Sequence, residues 1–286
     1  MLTRIITGIV LIAAVLAWLF MASYPIFTLG ALFIYMVGAY EMGPLLGYKS
    51  KIPFTFVAML AASVLFYIAP PGLYIEATIP AVVKYIIASG VVVWITSLPL
   101  LVKFPHDTAW HQYKILNTVL GILMLLPFLA GLLVLRSHNY QSDMLSGAYL
   151  VLAVMALVWC ADSGAYFTGR FLGKTPMLPR VSPKKTMEGL AGGLLTAFIA
   201  MIIFYRIGCF GNYGDNLVAL LIAAPVAIVF SVIGDLVESM FKRLVNIKDS
   251  GKIFPGHGGM LDRIDSQLAA IPMFLTVSML ISGDLF

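Results

Sequence analysis

Long apolar runs separated by short polar segments dominate this sequence. Nine such runs are present, at 4–22, 24–41, 53–70, 79–102, 115–135, 144–161, 187–206, 216–240 and 265–283. Each has roughly 17–25 residues, the length that an α-helix needs to cross the hydrocarbon of a bilayer. Because backbone groups in lipid must bond within their own segment, helices are expected throughout. The pattern predicts an all-α polytopic integral membrane protein with about nine transmembrane helices.

The two halves of the chain differ in polar content. No internal repeat or long polar appendage is present, so we expect residues 1–286 to form a single membrane domain. The N-terminal helices, within residues 1–135, carry few polar side chains, whereas the C-terminal region 144–283 carries the charge-rich segments. The first run is long for a signal peptide and no small-x-small cleavage pattern follows it, so we expect it to remain as a helix.

One acidic residue of the N-terminal half lies at the end of an apolar run. Glu41 precedes two lysines, Lys49 and Lys51, in the next polar segment. Two interpretations are open, an ion pair with one of these lysines and a contact with substrate, and we favour the ion pair.

Composition and charge place the chain at a membrane and orient it. Hydrophobic residues make up 61% and charged residues 11% of the sequence, and the mean hydropathy is +0.98. With the N-terminus inside, 15 of the 18 basic residues fall in the inside segments, and Arg136 and Arg206 fall outside. The positive-inside rule then predicts a cytoplasmic N-terminus, an external C-terminus, and cytoplasmic polar loops at 162–186 and 241–264.

The first of these loops contains a candidate anion site. It begins at Asp162, where the sixth run ends, and closes with the stretch Ser182–Thr186 before the seventh run. Ser182 is predicted to cap that helix with Pro183 as its first residue. Cations and hydroxyls at a helix N-terminus favour an anion; here they are Ser182, Lys184, Lys185 and Thr186. The alternative is an ordinary cap whose lysines anchor the loop at the membrane.

Acidic residues cluster at the ends of two further runs. Asp235, Glu238 and Ser239 share one face at the end of the eighth run, and Asp262 and Asp265 share one face before the ninth. Carboxylates in a membrane helix are costly unless they face a cavity, a cation or a partner. Carboxylate oxygens beside phosphates are ligands that Mg²⁺ prefers. Ion pairs within the helix and matching of the helix dipole are the simpler explanations.

The segment 239–265 is the densest in charge. Within these 27 residues lie five cations, three carboxylates and the turn Gly256-His257-Gly258-Gly259. This combination suits phosphates and a divalent metal at the edge of a bilayer. His257 has two open interpretations, a residue that braces the turn and a general acid or base.

At these residues the chain resembles the phosphatidate cytidylyltransferases, also called CDP-diacylglycerol synthases. The resemblance covers roughly 160–266. The family signature is similar to Ser239, Lys242-Arg243, Lys248-Asp249, Gly251, Phe254-Pro255, His257-Gly258-Gly259 and Asp262-Arg263-Ile264-Asp265. A second motif is similar to Ala161-Asp162-Ser163-Gly164-Ala165-Tyr166, Gly169-Arg170 and Ser182-Pro183-Lys184-Lys185-Thr186 with Glu188-Gly189.

The resemblance implies a reaction in which CTP and phosphatidic acid give CDP-diacylglycerol and pyrophosphate, with Mg²⁺ as cofactor. It implies catalytic roles for Asp235, Asp262, Lys185 and Arg263. Asp235 and Asp262 are the foremost metal ligands implied, supported by Asp265, Asp162 and Glu238. Substrate contacts are implied for Ser182, Lys184, Thr186, Ser239, Lys242, Arg243, Lys248, Asp249, His257, Gly258 and Gly259.

The resemblance also sets expectations for partners and location. It implies a site facing the cytoplasm in the bacterial inner membrane, the bilayer as surroundings, a homodimer, and no nucleic-acid partner. The runs seven to nine are expected to admit the lipid chains laterally. A CTP-dependent polyprenol kinase and an ion-coupled anion transporter are the alternatives. The transporter is disfavoured because the polar residues gather at one face of the membrane instead of its midplane.

Overall fold

A computed structural model describes residues 2–75 and 79–283, and α-helices account for most of them. The helices are α1 Leu2–Met21, α2 Tyr24–Leu45, α3 Ile52–Ile68, α4 Ala81–Lys103, α5 Lys114–Ser137, α6 Ser146–Leu172, α7 Met187–Arg206, α8 Leu217–Leu244 and α9 Leu261–Ser282. Two short strands, β1 Pro176–Leu178 and β2 Ser182–Thr186, form an antiparallel hairpin between α6 and α7. Every predicted apolar run is a helix, which confirms the all-α fold class.

Seven of these helices are long and apolar enough to cross a membrane. They are α2 and α4 to α9. The remaining two apolar helical stretches, Ile6–Met21 and Ile52–Ile68, are shorter. The protein is therefore a polytopic integral membrane protein, and the count of nine crossings stays a prediction.

Two predicted boundaries in the polar segment 162–186 are wrong. α6 continues to Leu172, so Asp162 lies on a helix and not at the start of a loop. The helix continues because large apolar side chains follow Asp162 and no proline interrupts them before residue 176. Ser182 does not cap α7, because it belongs to β2. Thr186 is the cap, and its Oγ1 accepts a hydrogen bond of 3.1 Å from Gly189 N.

The core of the bundle lies around α5 and α9. In the apolar 18-residue stretch of each helix, 72% of the residues of α5 and 78% of those of α9 are buried. The corresponding share in α7 is 22%, and large apolar side chains of that helix are exposed. Exposed apolar side chains on a helix of this length suit contact with lipid. α9 also packs closely on α8 at Gly234, where a Cβ would lie 2.6 Å from Asp265 O. This close approach brings Asp235, the next residue, beside the start of α9.

Successive helices alternate in direction, which gives the bundle two distinct ends. At one end, called here the active-site end, α2, α6 and α8 finish and α5, α7 and α9 begin, and the hairpin lies there as well. At the opposite end lie the C-terminus of α5 and the turns that join α1 to α2 and α5 to α6. Arg136 occupies that opposite end.

The expected ion pair of Glu41 is absent from the described residues. Glu41 is 2% exposed and contacts neither lysine. The Lys51 ammonium lies 4.6 Å from the centre of the Tyr40 ring instead. The Glu41 side chain points into the bundle toward the segment before α9, so it is buried away from the polar segment that carries the lysines.

Candidate active site

A polar cavity of about 860 Å³ opens at the active-site end. Side chains of α6, α8, α9 and the segment 245–260 line it. Its charged lining residues are Asp162, Asp235, Lys242, Lys248, Asp249, Lys252, Asp262, Arg263 and Asp265. The structure thus brings together residues of α6, α8 and α9. The two that lie furthest apart in sequence, Asp162 and Asp265, are separated by 103 positions.

Asp235 connects α8 to the hairpin. Lys185 extends from β2 and its Nζ lies 2.6 Å from Asp235 Oδ2. Ser239, one turn further along α8, donates to Asp235 Oδ1 at 3.3 Å. Both groups of the ion pair keep roughly a quarter to a third of their side-chain surface exposed, 24% for Lys185 and 31% for Asp235. A partly hydrated pair of this kind can exchange partners when a phosphate or a cation enters.

Asp262 organises the segment before α9. Its Oδ1 accepts from Lys242 Nζ at 2.8 Å. Its Oδ2 accepts from Ser250 N at 2.9 Å, Ser250 Oγ at 3.0 Å and Gly259 N at 2.8 Å. Four donors on one carboxylate, whose side chain is 7% exposed, fix the loop in place. Oδ1 is the less engaged oxygen, with the Lys242 ammonium as its one hydrogen-bond donor.

Two other carboxylates of the cavity are less engaged. Asp162 makes no hydrogen bond or ion pair with any residue that the structure describes. Asp265 Oδ1 accepts from Ser266 N at 2.7 Å. Their remaining oxygens are available to cations. Among the described residues, no group of three or more His, Cys, Asp or Glu side chains is close enough to form a metal cage by itself.

Several predicted site residues lie away from this cavity. Glu238 is 6% exposed, pairs with Lys242 and lines a small apolar cavity inside the bundle. Ser239 reaches the site only through Asp235. Arg243 and Gly259 are also missing from the cavity lining, whereas Gly258 is included in it. Glu238 is turned into the bundle, whereas Ser239 lies on the same face of α8 as Asp235 and contacts that carboxylate instead of the cavity.

A second, more apolar cavity of about 490 Å³ joins the polar one. Apolar side chains of α1, α2, α5, α6 and α9 line its far side, so it does not lie between α7, α8 and α9, where we expected the lipid chains to enter. The two cavities share the lining residues Asp162, Phe254, His257, Asp262, Arg263, Asp265 and Ser266. Charged and apolar surfaces therefore meet at the same carboxylates.

A third cavity, of about 330 Å³, lies under the hairpin. Ser182, Lys184, Lys185 and Thr186 line it, and it meets the polar cavity at Asp162 and Asp235. Glu188 holds the start of the hairpin, since its carboxylate accepts from Lys174 N and Thr175 N, both at 3.1 Å, and from Thr175 Oγ1 at 2.9 Å. The four predicted anion-binding residues thus share one wall, on the strand β2, whose last residue Thr186 caps α7.

His257 lies in a tight turn at the mouth of the polar and apolar cavities. Its backbone N donates to Phe254 O at 2.9 Å, and Phe254 N donates to Gly258 O at 2.9 Å. Its ring Nδ1 is buried without a hydrogen-bond partner in the described residues. The backbone of this residue braces the turn, and its side chain lines both cavities.

Three features of the site were missed in the sequence. Ser250 contacts Asp262 from within the signature segment, where its position between Asp249 and Gly251 was the available signal. Glu41 reaches the same serine from α2. Thr7 of α1 donates to Pro255 O at 3.2 Å. The N-terminal half therefore contributes to the site, although its sequence is mainly apolar.

Comparison with known proteins identifies the family. The family model of the cytidylyltransferase family matches residues 2–281. A phosphatidate cytidylyltransferase of Haemophilus influenzae is 38% identical over 276 residues, 95% of this chain and 96% of that protein. One from Pseudomonas aeruginosa is 39% identical over 271 residues, 95% of this chain and 94% of its own length. One from Bacillus subtilis is 43% identical over 126 residues, 44% of this chain and 46% of its length. With a match over almost its whole length, the chain belongs to the cytidylyltransferase family and is a membrane nucleotidyltransferase.

Proposed function

We propose that this enzyme transfers the cytidylyl group of CTP to phosphatidic acid, giving CDP-diacylglycerol and pyrophosphate. The observation that carries the proposal is the junction of a polar and an apolar cavity at Asp162, Asp262, Arg263 and Asp265. A nucleotide from water and a phospholipid from the bilayer can meet only at such a junction. The near-full-length phosphatidate cytidylyltransferase relatives support the same pair of substrates.

The lining residues divide between the substrates by charge. Lys248, Lys252 and Arg263 offer cations to the triphosphate in the polar cavity. Lys184 and Lys185 offer two more from the hairpin side. The apolar cavity takes acyl chain, and its polar mouth holds the lipid phosphate near Arg263. Two polyanions repel each other, so these cations neutralise charge and align the reacting atoms.

The carboxylates fit a Mg²⁺ ion. Mg²⁺ binds through one or two carboxylates, substrate phosphates and waters, and needs no cage made of protein alone. Asp162 and Asp265 have oxygens without donors, and Asp235 lines the same cavity. These three residues would hold the ion, with Asp262 Oδ1 as the further ligand. When bound, the metal supplies positive charge that stabilises the triphosphate and the leaving pyrophosphate.

The bond changes need no special base. A phosphate monoester has a second pKa of about 6, so the lipid phosphate is largely ionised near neutral pH. One of its oxygens forms a bond to the α-phosphorus of CTP. The bond from that phosphorus to the oxygen bridging to the β-phosphorus breaks, and pyrophosphate leaves with the electron pair. Arg263 and Lys185 hold the phosphates through this exchange, and the apolar wall limits competing water.

Separate labels on CTP distinguish this reaction from a kinase. Purified protein receives phosphatidic acid in micelles, Mg²⁺, and CTP labelled at either the α or the γ phosphate. Cytidylyl transfer puts the α label into lipid and releases the γ label in pyrophosphate. Label from the γ phosphate in lipid would replace the proposal with a lipid kinase. Absence of lipid labelling together with uptake of an anion into proteoliposomes would favour the transporter.

We propose that the active-site end faces the cytoplasm of a bacterial inner membrane, with the N-terminus inside. The basis is the distribution of basic residues, 15 inside and two outside. A reporter that functions only outside the cytoplasm should be active when it is fused after Phe286, which lies outside the described residues. Cytoplasmic activity there contradicts the nine-crossing topology. The homodimer is tested by crosslinking in native membranes, where a band at twice the monomer mass is expected.

A further inference from the structure

Glu41 of α2 reaches the segment that precedes α9 across more than 200 positions of sequence. Its Oε2 accepts from Leu261 N at 2.8 Å and from Ser250 Oγ at 3.1 Å. The carboxylate is buried, and Oε1 has no hydrogen-bond partner among the described residues. Glu41 does not line any of the three cavities of the site. Its contacts are instead with the segment before α9 and the first residue of that helix, which hold the site residues in place.

Glu41 supplies the cap that α9 lacks. The N-cap residue of α9 is Met260, whose side chain makes no capping hydrogen bond. The first N–H groups of a helix need acceptors from outside the helix. Glu41 accepts one of them, Leu261 N. Asp262 accepts from Gly259 N, which lies just before the helix. A carboxylate is also favoured there by the helix dipole.

The same carboxylate is linked to Asp262 through one hydroxyl. Ser250 Oγ lies 3.1 Å from Glu41 Oε2 and 3.0 Å from Asp262 Oδ2, so its single proton is shared between the two carboxylates. The backbone at Gly251 and Gly259 comes so close that a Cβ at either position would overlap the carboxylate oxygens of Glu41. The loop is therefore packed directly onto this side chain, with no room for another residue between them.

We propose that Glu41 is a positioning residue for nucleotide binding: through Ser250 and the start of α9 it fixes the loop 245–260. That loop presents Lys248 and Lys252 to the polar cavity. The identity of the nucleotide rests on the proposed function, whereas the positioning of the loop does not. A loop that loses its buried anchor samples other conformations. The apparent affinity for a nucleotide then falls in proportion to the fraction of protein whose loop is in the binding conformation. The affinity for CTP should fall, with less effect on the lipid.

Steady-state kinetics test this with Glu41→Ala, Glu41→Gln and Ser250→Ala. Glu41→Ala should raise the KM for CTP at least about tenfold and lower kcat less than about threefold at saturating CTP, with the KM for phosphatidic acid little changed. Glu41→Gln keeps an acceptor oxygen and should recover most of the loss. The double variant Glu41→Ala/Ser250→Ala should lose less than the product of the single losses, because both remove the same link.

Asn117→Ala is the matched control. Asn117 is also buried in the N-terminal half, and its amide donates to Leu46 O at 3.2 Å and His111 O at 2.7 Å, away from the loop. It should lower the thermal unfolding temperature and leave both KM values unchanged. If the Glu41 variants behave like Asn117→Ala, with lower stability and a wild-type KM for CTP, the side chain is merely structural and the proposal is wrong.

Limited trypsin digestion gives a second measurement that does not depend on the reaction. Cleavage after Lys248 or Lys252 should be at least about fivefold faster in Glu41→Ala or Ser250→Ala than in the wild-type protein, close to wild type in Glu41→Gln, and unchanged in Asn117→Ala. Unchanged cleavage in Glu41→Ala and Ser250→Ala overturns the proposal. If Glu41→Ala fails to insert, unchanged cleavage in Ser250→Ala alone overturns it. A wild-type protein without cytidylyl transfer would defeat the proposed function, while the digestion would still decide the role of Glu41.

Discussion

The two ends of the bundle both hold buried charge, but they hold it differently. At the opposite end, Arg136 is 1% exposed and donates to Met144 O at 3.0 Å and Ala22 O at 3.1 Å. Its guanidinium also lies 5.5 Å from the Phe27 ring centre and 5.2 Å from that of Tyr140. It forms no ion pair with a described carboxylate. Backbone carbonyls and rings hold this cation within close packing.

At the active-site end the cations are paired with carboxylates around open space. Lys185 pairs with Asp235 and Lys242 with Asp262. Lys185 lines the cavity under the hairpin, and the other three line the polar cavity of about 860 Å³. A carboxylate partner can be replaced by a phosphate, and a lysine partner by a metal, whereas a packed backbone carbonyl cannot be exchanged. Buried charge alone therefore does not mark a functional site. Exchangeable partners beside a cavity do, and the variants below separate the two kinds.

Asp235→Asn should have the largest effect on activity. It removes a metal ligand and the counter-ion of Lys185 while it keeps the size of the side chain. Turnover should fall at least about a thousandfold, or ~4 kcal/mol of barrier, with unchanged insertion. Mg²⁺-dependent turnover per inserted protein is the measurement. Asp143→Asn, at the opposite end, is the control and should stay within about twofold of wild type. A variant that keeps most of its Mg²⁺-dependent rate rules out the metal role of Asp235.

Asp262→Asn should have the next largest effect and a different signature. The substitution replaces one acceptor oxygen with an N–H₂ donor, which cannot accept from Lys242 or Ser250. Turnover should fall about a hundredfold, ~2.7 kcal/mol. Trypsin cleavage after Lys248 should also accelerate, because the loop loses its main acceptor. Asp235→Asn should leave this cleavage unchanged. Loss of turnover in Asp262→Asn with a fully protected loop would instead assign the residue to the metal alone.

Arg136→Met tests the other side of the comparison. It leaves the carbonyls of Ala22 and Met144 without their donors, so the free energy of unfolding should fall by about 2 kcal/mol. Turnover per folded protein should remain within about twofold of wild type, because Arg136 lies at the opposite end of the bundle and does not line the polar cavity. Thermal unfolding in detergent and specific activity measure the two quantities. A specific loss of turnover, without a loss of stability, would show that the opposite end contributes to catalysis.

The sequence predicted the fold well because lipid leaves few choices. An apolar run of membrane length must be a helix, so the nine runs could be identified without tertiary information. The ends of the helices were predicted less well. Asp162 does not terminate α6, because one charged residue at the edge of a membrane does not prevent a helix from continuing into water. Ser182-Pro183 resembles a helix start, yet pairing with β1 satisfies that backbone as a strand.

Only some of the site could be predicted. Its chemistry could, because charged residues are dense in this part of the sequence and their types identify that chemistry. What the sequence could not give is which side chains face one cavity. Glu238 and Asp235 are one turn apart, but only Asp235 lines the polar cavity. Long-range contacts such as Glu41 to Ser250 leave no local pattern. The expected ion pair of Glu41 relied on proximity in sequence, which does not decide contacts between helices.

Substitution of Lys185 should give the smallest free-energy change of these variants. It tests whether the ion pair between Lys185 and Asp235 exchanges its partners during the reaction. If its charge only anchors the hairpin at the membrane, Lys185→Arg should be nearly neutral, as it is for any cation at a membrane edge. In the structure the ammonium lies 2.6 Å from Asp235 Oδ2 at the junction of two cavities, where its position matters. Guanidinium is a wider planar fork and does not reproduce a compact ammonium. Lys185→Ala should therefore lower turnover, or raise the KM for CTP, at least about tenfold, ~1.4 kcal/mol, and Lys185→Arg should recover only some of this loss.

Lys174→Ala, on the same polar segment but outside the three cavity walls, is the control and should behave as wild type. Kinetics at saturating phosphatidic acid, normalised to inserted protein, give the answer. Wild-type kinetics in both Lys185 variants would make this cation a fixed anchor, equivalent to Arg136 at the opposite end.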